Sequence, residues 1–377
     1  MLRITFFVAT TVASICAVTT RGAVTTVTIF SPSNNRSVSF QVYTPPGYTT
    51  NASQHYPLVI SLHGIGGNSL QRATLYAPTL DARITSGDLL PMVWMFPDGQ
   101  DNSFYGNAFD GHKQVYSQII HEELPYVDAT YRTITDRDYR AMEGFSMGGF
   151  GAAMLTAKHT ELFSAVVEYG GALSTWQNLV QFNNAVATEM YNNVEANFLP
   201  YSLWDLTSAN ATAIRASVDY KMIVGDADSQ YQSNTRFRDN LISLGIDPHF
   251  QVLPGVEHQG GSYLADGSGL NYLSAHFASK FQQEGDYDRD GDVDAVDYNV
   301  WRAVFGSTTW LAADGSHNSV IDAADYVVWR HSIGRSAGSG AALPSADPLS
   351  ASVPEPSTLM LMILAAAGWS LRRCRAA

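Results

Sequence analysis

Short apolar runs recur along residues 24–284, and their pattern predicts the strands of a sheet. Two N-terminal runs, VTTVTIF and SVSFQVYT, alternate apolar and polar positions as half-exposed strands do. The later runs are continuously apolar, which is typical of strands that are covered on both faces in a parallel sheet. The runs span 24–30, 37–44, 57–63, 92–96, 139–144, 165–170, 220–225 and 249–255.

Stretches of helical character separate the later runs, among them residues 114–131, 148–159 and 233–245. This alternation predicts an α/β fold with a mostly parallel sheet of about eight strands and helices on both faces. Residues 172–216 break the rhythm and are long for a connection, so we expect a helical cap insertion there. Its aromatic side chains form either a private core or the lining of a substrate pocket; they are Trp176, Phe182, Tyr191, Phe198, Tyr201 and Trp204.

Composition and charge narrow the classes of function. The chain has 377 residues, 45% of them hydrophobic, which is enough for a large core and long for one domain. Its net charge is −13 and its middle carries no basic cluster, so we expect no nucleic-acid partner. Cys16 and Cys374 both lie in terminal segments that are predicted to be removed. The mature protein is therefore expected to have no disulfide, cysteine nucleophile or cysteine metal ligand.

The N-terminus is predicted to be an export signal. Residues 1–23 place one arginine before the apolar run ITFFVATTVASICAV, which is the pattern of a secretory signal peptide and is short for a membrane span. The cleavage point stays open within residues 17–24. Because Ala-Ser-Ile-Cys is a poor lipoprotein box, simple cleavage is favoured over lipidation.

The C-terminus is predicted to be a sorting segment. Residues 353–377 contain a Pro-Glu-Pro tripeptide, an apolar run at 358–371 and an Arg-rich end, in that order. This order resembles the PEP-CTERM sorting signal of exported bacterial proteins. The resemblance implies sorting machinery at the membrane as a partner, removal of the tail, and an extracellular or envelope-associated protein. A weak tail anchor is the alternative. Residues 335–352, rich in Ser, Ala, Gly and Pro, are predicted to be a flexible linker.

Ser146 lies in the segment Gly144-Phe145-Ser146-Met147-Gly148, between a predicted strand and a predicted helix. G-x-S-x-G in this context predicts a nucleophile elbow, in which the turn is too sharp for side chains at 144 and 148. The serine then projects at a helix N-terminus, where backbone N–H groups favour a developing negative charge. The alternative is a tight structural turn.

A serine hydroxyl is a weak nucleophile, so it needs a base and the base needs an orienting acceptor. In this architecture the acid and then the histidine follow the serine, each beyond a strand end. His258 meets that condition, on a glycine-rich loop after the last strand. Asp228 and Asp226 both follow the strand at 220–224; the G-x-x-D turn favours Asp228, and the other aspartate is then a turn or cap residue.

The remaining histidines are expected to be core or surface residues, with His249 inside a strand and His276 inside a helix. They are His55, His63, His112, His121, His159, His249, His276, His317 and His331.

Acyl transfer also needs donors for the oxyanion. The glycine-rich segment HGIGG at 63–67 follows an early strand, and such a loop lets backbone N–H groups point at a carbonyl oxygen. We expect one donor to be the N–H of Met147 and the other to be the N–H of Ile65. The alternative is that the glycines only permit a tight strand exit.

These motifs together resemble a known family. HGIGG, the PDG at 97–99, YVDATYRTITDRDYRAMEGFSMGG at 126–149 and the late His258 are similar to the esterase D branch of the α/β-hydrolases. That branch includes secreted feruloyl and acetylxylan esterases of carbohydrate esterase family one. The resemblance covers roughly residues 35–284, and the predicted domain spans 24–284. It implies ester hydrolysis by Ser146, His258 and the aspartate that matches Asp228.

The acidic repeat region, residues 285–334, carries an internal repeat. GDYDRDGDVDAVD at 285–297 aligns with ADGSHNSVIDAAD at 313–325, with a 28-residue offset that continues through Trp301-Arg302 and Trp329-Arg330. Each copy spaces its oxygen-bearing residues at calcium-loop positions 1, 3, 5, 7, 9 and 12. The first set is Asp286, Asp288, Asp290, Asp292 (carbonyl), Asp294 and Asp297; the second set is Asp314, Ser316, Asn318, Val320 (carbonyl), Asp322 and Asp325.

The two loops are expected to bind Ca²⁺ with different strength. Gly291 permits the sharp turn at position 6 of the first loop, whereas Ser319 occupies that position in the second. We therefore expect the second site to be weaker or strained. Two calcium loops, each followed by one helix, resemble a type I dockerin. The resemblance implies a cohesin-type scaffold protein as partner, or alternatively an element that tethers the protein to the envelope.

The sequence thus predicts a secreted serine carboxylesterase that acts on ester side groups of plant polysaccharides, such as the feruloyl or acetyl esters of xylan. No cofactor is expected for catalysis. A polyester or lipid esterase, similar to polyhydroxybutyrate depolymerases, is an alternative within the hydrolases, and a peptidase is less favoured. The alternative from another class is a non-catalytic, calcium-dependent assembly protein with a degenerate hydrolase domain.

Overall fold

A computed structural model gives the structure of residues 21–50, 52, 54–281, 284–288, 292–308, 313–316, 318 and 320–334. These residues fall within the larger of two compact units, Met1–Ala337. The predicted linker and sorting tail, and all but the end of the predicted signal peptide, lie outside the described residues. The predicted domain boundaries stay predictions. No helix in the described part of the chain has both the length and the apolar character that crossing a bilayer requires.

The predicted α/β fold is confirmed: eight strands form a mostly parallel sheet with the order β1-β2-β4-β3-β5-β6-β7-β8. Strand β2 is antiparallel to both of its neighbours, and β3 to β8 are all parallel. The strands are β1 Ala23–Ser31, β2 Arg36–Thr44, β3 Leu58–Leu62, β4 Val93–Phe96, β5 Arg140–Phe145, β6 Ala165–Tyr169, β7 Asp219–Gly225 and β8 Phe250–Leu253. His249, expected within a strand, lies directly before β8.

Helices cover both faces of the sheet and extend beyond it. They are α1 Ser69–Thr85, α2 Val115–Ser117, α3 Leu124–Thr130, α4 Met147–Lys158, α5 Trp176–Phe182, α6 Asn184–Tyr191, α7 Glu195–Phe198, α8 Leu203–Ala209, α9 Ala211–Ser217, α10 Tyr231–Ser243, α11 Gly260–Asp266, α12 Ser268–Lys280, α13 Ala295–Val304 and α14 Ala323–Ser332.

The continuously apolar strands separate two hydrophobic cores. Successive side chains point to opposite faces of a strand, and in β6 Val166 belongs to one core while Val167 belongs to the other. The first core is shared with α4, the helices of 172–216 and α10, and the second with α1, α11 and α12. Both faces are buried, which is why these runs lack the alternation of β1.

The helix expected at 114–131 is not one regular α-helix. Residues Gln118–Glu123 form a π-helical segment between α2 and α3. Pro125 lies in the first turn of α3 and has no N–H to donate to the preceding turn. A π-helical segment accommodates such a break in the hydrogen-bond ladder. The apolar periodicity shows that a helix exists there, but it does not report the change in pitch.

Residues 172–216 form helices α5 to α9, and most of their aromatic side chains pack on one another. The ring centroids of Trp176, Tyr191 and Phe198 lie 5.3 to 6.4 Å apart. Trp204 packs instead on Phe237 of α10. Phe182 is 70% exposed. The buried members Tyr191 and Phe198 belong to the first core, which these helices share with the sheet and α4, and not to a private core of the insertion.

Candidate active site

Ser146 occupies the turn between β5 and α4 in a backbone conformation that L-residues rarely adopt. Its φ is +58° and its ψ is −117°, and such a conformation costs on the order of 1–3 kcal/mol. A Cβ on Gly144 would lie 2.1 Å from the carbonyl oxygen of Gly148, and one on Gly148 would lie 2.2 Å from that of Leu62. The two glycines thus let the strand, the turn and the helix meet closely enough to present the serine.

The structure brings Ser146, His258 and Asp228 together at the carboxyl ends of β5, β7 and β8. His258 Nε2 lies 2.8 Å from Ser146 Oγ, and His258 Nδ1 lies 2.9 Å from each carboxylate oxygen of Asp228. With a neutral imidazole, Nδ1–H donates to the carboxylate, which leaves Nε2 as the acceptor for the serine proton. The arrangement can therefore take a proton from the hydroxyl.

Asp226, the other candidate acid, has a different contact. Its Oδ1 accepts a hydrogen bond of 2.6 Å from the N–H of Gly255. Asp226 is exposed and ties the loop after β7 to the turn after β8. Asp228, by contrast, has a fully buried side chain.

Three donors keep Asp228 ionised in its buried position. Burial raises the pKa of this carboxyl, but hydrogen bonds from His258, from the Tyr263 hydroxyl and from the N–H of Gln230 outweigh it, so the net pKa lies below the usual value. Tyr263 also accepts the N–H of Gly225 at 2.9 Å. Tyr263 was not predicted from the sequence, where its nearness to His258 in the chain is the available signal.

The loop after β3 lies against the nucleophile. A Cβ on Gly64 would lie 3.3 Å from the Cβ of Ser146. Among the described residues, the backbone N–H groups of Ile65 and Met147 have no protein acceptor. Ile65 is 48% exposed. Both predicted oxyanion donors therefore have N–H groups that are available to a ligand.

His63 holds this loop in place through hydrogen bonds of its ring. Its Nε2 accepts the N–H of Gly99 at 2.9 Å, so its Nδ1–H donates to the carbonyl of Gly64 at 2.8 Å. Its own carbonyl accepts the hydroxyl of Tyr105. Burial lowers the pKa of His63 and favours the neutral ring that these contacts require. His63 was expected to be a core or surface residue, and its hydrogen bonds to two loops were not predicted.

A second Ser–His–Asp arrangement lies at the opposite ends of the parallel strands, where β6 and β7 begin. His276 Nε2 is 2.8 Å from Ser164 Oγ, and His276 Nδ1 is 2.7 Å from Asp219 Oδ2. Ser164 is 1% exposed and its hydroxyl also lies 3.1 Å from the carbonyl of Asp138. A substrate cannot reach the Ser164 hydroxyl, so this cluster is structural. It offers a matched control for the cluster of Ser146, His258 and Asp228.

The acidic repeat region folds as two similar halves. Asp294 and Asp322 each cap a helix in a reciprocal capping box, with Asp297 and Asp325 as partners. The contacts between the halves are reciprocal as well. Trp301 Nε1 donates to the carbonyl of Asp322, and Trp329 Nε1 donates to that of Asp294. The 28-residue repeat in the sequence thus corresponds to a repeat in structure.

The first loop has the chemistry of a site for a hard cation. Asp286, Asp288 and Asp297 are buried, and they can place carboxylate oxygens within 4.8 Å of one another. Oxygen ligands at this spacing fit Ca²⁺. Asp292 and Asp294 are described in the same loop, whereas Asp290 and Gly291 lie outside the described residues.

In the second loop, the side chains form hydrogen bonds with other groups of the same loop. Asp314 Oδ1 accepts the N–H of Asn318 at 3.1 Å and lies 3.4 Å from Ser316 Oγ. Asn318 Nδ2 donates to Asp322 at 3.1 Å, and Asp325 accepts the N–H of Ser316 at 2.9 Å. The N–H of Val320 donates to Asn318. Ser319 lies outside the described residues.

Comparison with known proteins gives two family matches. Residues 31–240 match the family described as "Putative esterase". Residues 352–375 match the PEP-CTERM protein-sorting motif, which confirms the predicted sorting tail and indicates export to the cell envelope.

The individual proteins to which the chain is similar are also esterases by name. The chain is 32% identical over 136 residues to "Esterase MT1326" of Mycobacterium tuberculosis, covering 35% of this chain and 29% of that protein. It is 29% identical over 163 residues to an endo-1,4-beta-xylanase/feruloyl esterase of Xylanibacter ruminicola, covering 41% of this chain and 22% of that protein. The chain thus spans less than a third of the length of these curated relatives. A solved ferulic acid esterase is 25% identical with a TM-score of 0.59, covering 68% of this chain and 99% of that one.

Proposed function

Because the chain belongs to the esterase family that its residues 31–240 match, we propose that it is a serine carboxylesterase with Ser146 as nucleophile. The observation that carries this proposal is the continuous contact from Ser146 Oγ through His258 to Asp228, at 2.8 and 2.9 Å. A nucleophile and base within hydrogen-bond reach, with the base oriented by a third group, is the signature of an activated hydroxyl.

In the first half of the reaction, Ser146 Oγ attacks the ester carbonyl while its proton moves to His258 Nε2. Asp228 stabilises the imidazolium that forms and does not itself become protonated. The carbonyl oxygen becomes an oxyanion, and the N–H groups of Met147 and Ile65 donate to it. His258 then returns the proton to the leaving alcohol, and an acyl ester of Ser146 remains.

In the second half, water takes the place of the alcohol. His258 Nε2 removes a proton from the water as it attacks the acyl carbonyl, and the same two N–H groups hold the second oxyanion. Collapse of this intermediate breaks the bond to Ser146 Oγ, which regains its proton from His258. The products are a carboxylic acid and the free enzyme.

We propose aromatic and acetyl esters of plant polysaccharides as the substrates. Support comes from the names of two relatives, a xylanase/feruloyl esterase and a ferulic acid esterase. The test is a substrate screen of the full chain on feruloylated and acetylated xylan oligomers and on a polyhydroxybutyrate film. We expect acid release from a xylan oligomer with kcat/KM of about 10⁴ M⁻¹s⁻¹ or more. Release from the film alone would favour the polyester alternative, and no release from any ester would contradict the proposed activity.

We also propose that the acidic repeat region binds Ca²⁺ through its two loops. Its core is small, with six buried apolar residues in the described part, and small domains commonly need a metal for stability. Bound calcium would offset the repulsion between the clustered carboxylates of Asp286, Asp288 and Asp297. The likeness to dockerins makes a cohesin-type protein the proposed docking partner.

Adding calcium is expected to stabilise this region by about 2.7 kcal/mol at a hundredfold excess over Kd. Urea unfolding of the full chain, followed by tryptophan fluorescence with and without chelator, measures this stabilisation. Calorimetric titration of the variants Asp297→Asn and Asp325→Asn assigns it to the first or the second loop, and the first should contribute more. Identical unfolding curves in millimolar calcium and in chelator would contradict the proposal.

A further inference from the structure

The turn after β6, residues 170–172, touches both the nucleophile and the acid. The N–H of Ala172 donates to the carbonyl of Ser146 at 2.9 Å, and the N–H of Ser146 donates to that of Tyr169 at 3.0 Å. Gly170 has φ of +48°, and a Cβ on it would lie 2.7 Å from Asp228 Oδ2. The position of this turn therefore sets the spacing between Ser146 and Asp228.

Two buried side chains hold the centre of this turn. Glu168 Oε2 accepts the N–H of Gly171 at 2.8 Å, and Asn234 Nδ2 of α10 donates to the carbonyl of Gly171 at 2.8 Å. Both side chains belong to fully buried residues. We propose that Glu168 is a positioning residue: through Gly171 it fixes the turn against which Ser146 and Asp228 are aligned. The proposal rests on the esterase function proposed above.

The surroundings of Glu168 favour its neutral form. Burial raises the pKa of this carboxyl, the hydrogen bond from the N–H of Gly171 lowers it, and the nearby charge of Asp228 raises it, which together bring the pKa to about 8. Among the described residues, Glu168 Oε1 and Asn234 Oδ1 are buried oxygens without a hydrogen-bond partner. A neutral carboxylic acid supplies one donor hydrogen where the ionised form would supply only acceptors.

Among the groups that face Glu168, Asp228 is the one that carries a charge. Tyr220 of β7 and Tyr263 of α11 both interact with Glu168, and burial raises their own pKa values, so both stay neutral. Above pH 8 a second negative charge would form beside Asp228, and two buried carboxylates repel each other. We expect this repulsion to displace the turn and to disturb the alignment of Ser146, His258 and Asp228.

The sign of the stability effect follows from the raised pKa. In the unfolded chain Glu168 releases its proton near its ordinary pKa, whereas in the folded chain it keeps the proton up to about pH 8. The contribution of Glu168 to stability is therefore complete at low pH and is lost between these two values. Glu168→Gln should remove this pH dependence, because glutamine keeps the shape and the carbonyl acceptor without the titration.

The test compares pH profiles of kcat and KM for a p-nitrophenyl ester between pH 5.5 and 10, using the wild type, Glu168→Gln and Glu168→Ala. Glu123→Gln is the matched control, because Glu123 is equally buried, also has its pKa raised to about 8, and accepts its described hydrogen bond from Gln118 instead of from the turn. We expect a wild-type decline in kcat near pH 8 that persists in Glu123→Gln and is absent in Glu168→Gln. Glu168→Ala should lower kcat about 100-fold at pH 7 with little change in KM.

A decline near pH 8 that persists in Glu168→Gln, or wild-type kcat in Glu168→Ala, would overturn the proposal. If Glu168→Ala does not fold, the profile of Glu168→Gln decides alone. The rate at which a fluorophosphonate labels Ser146, measured over the same pH range, needs no ester substrate. Labelling with the expected Glu168-dependent profile but without ester hydrolysis would overturn the proposed function and support the positioning role; absence of labelling would overturn both.

Discussion

Replacing Ser146 with alanine is expected to reduce kcat for a p-nitrophenyl ester by about 10⁶-fold. The reason is that Ser146 Oγ supplies the attacking atom, and no other described hydroxyl lies at an elbow beside His258. The residual rate should reflect only binding and the oxyanion donors Ile65 and Met147. Steady-state kinetics of the purified variant measure the loss, and circular dichroism checks that the fold is intact.

Ser164→Ala is the matched control for this variant. Ser164 has the same contacts to a histidine and an aspartate, His276 and Asp219, but it lies buried at the opposite ends of the parallel strands. Its replacement should leave kcat within about twofold of the wild type and cost about 1 kcal/mol of stability through lost hydrogen bonds. Loss of activity in Ser164→Ala together with retention in Ser146→Ala would reverse the assignment of the two clusters.

Replacing Asp228 with asparagine is expected to reduce kcat by about 10⁴-fold. Asparagine is similar in shape, but its amide cannot stabilise an imidazolium and favours the wrong tautomer of His258. The donors Tyr263 and Gln230 would still face position 228, so the fold should persist. The measurement is kcat between pH 6 and 9. The Asp228 carboxylate is ionised across this range, so loss of its charge should lower kcat at every pH in it.

Asp226→Asn is the control, since this residue lies two positions away and, among the described hydrogen bonds, its carboxylate accepts only the N–H of Gly255. We expect its kcat to stay within about threefold of the wild type. A larger loss in Asp226→Asn than in Asp228→Asn would show that the acid of the relay is the other aspartate.

The strands were predictable because each carries its own signal. Burial on both faces requires a continuous apolar run, and AVVEYG and YKMIVG correspond to β6 and β7 with boundaries that shift by one residue at most. The same local logic located Ser146, since the glycines at 144 and 148 are needed by the turn itself. Features that are fixed by short-range sterics can be read from short stretches of sequence.

Other features depend on contacts between distant segments and leave no such signal. Glu168 reads as one polar residue within an apolar strand, and its role emerges only when Gly171 and Asn234 of α10 meet it. Tyr263 likewise reaches Asp228 only because the fold brings α11 to the loop after β7. The G-x-x-D spacing favoured Asp228 over Asp226 but left both open, because the course of the turn decides which carboxylate faces His258.

The most direct test of Ser146 as the nucleophile is to label the full chain with a fluorophosphonate, digest it and locate the adduct by tandem mass spectrometry. We expect one phosphonylated residue, Ser146, and no labelling after Ser146→Ala, while Ser164→Ala should be labelled as the wild type is. An adduct on Ser164 or on any other residue, or no adduct at all on the folded protein, would contradict the claim that Ser146 is an activated nucleophile.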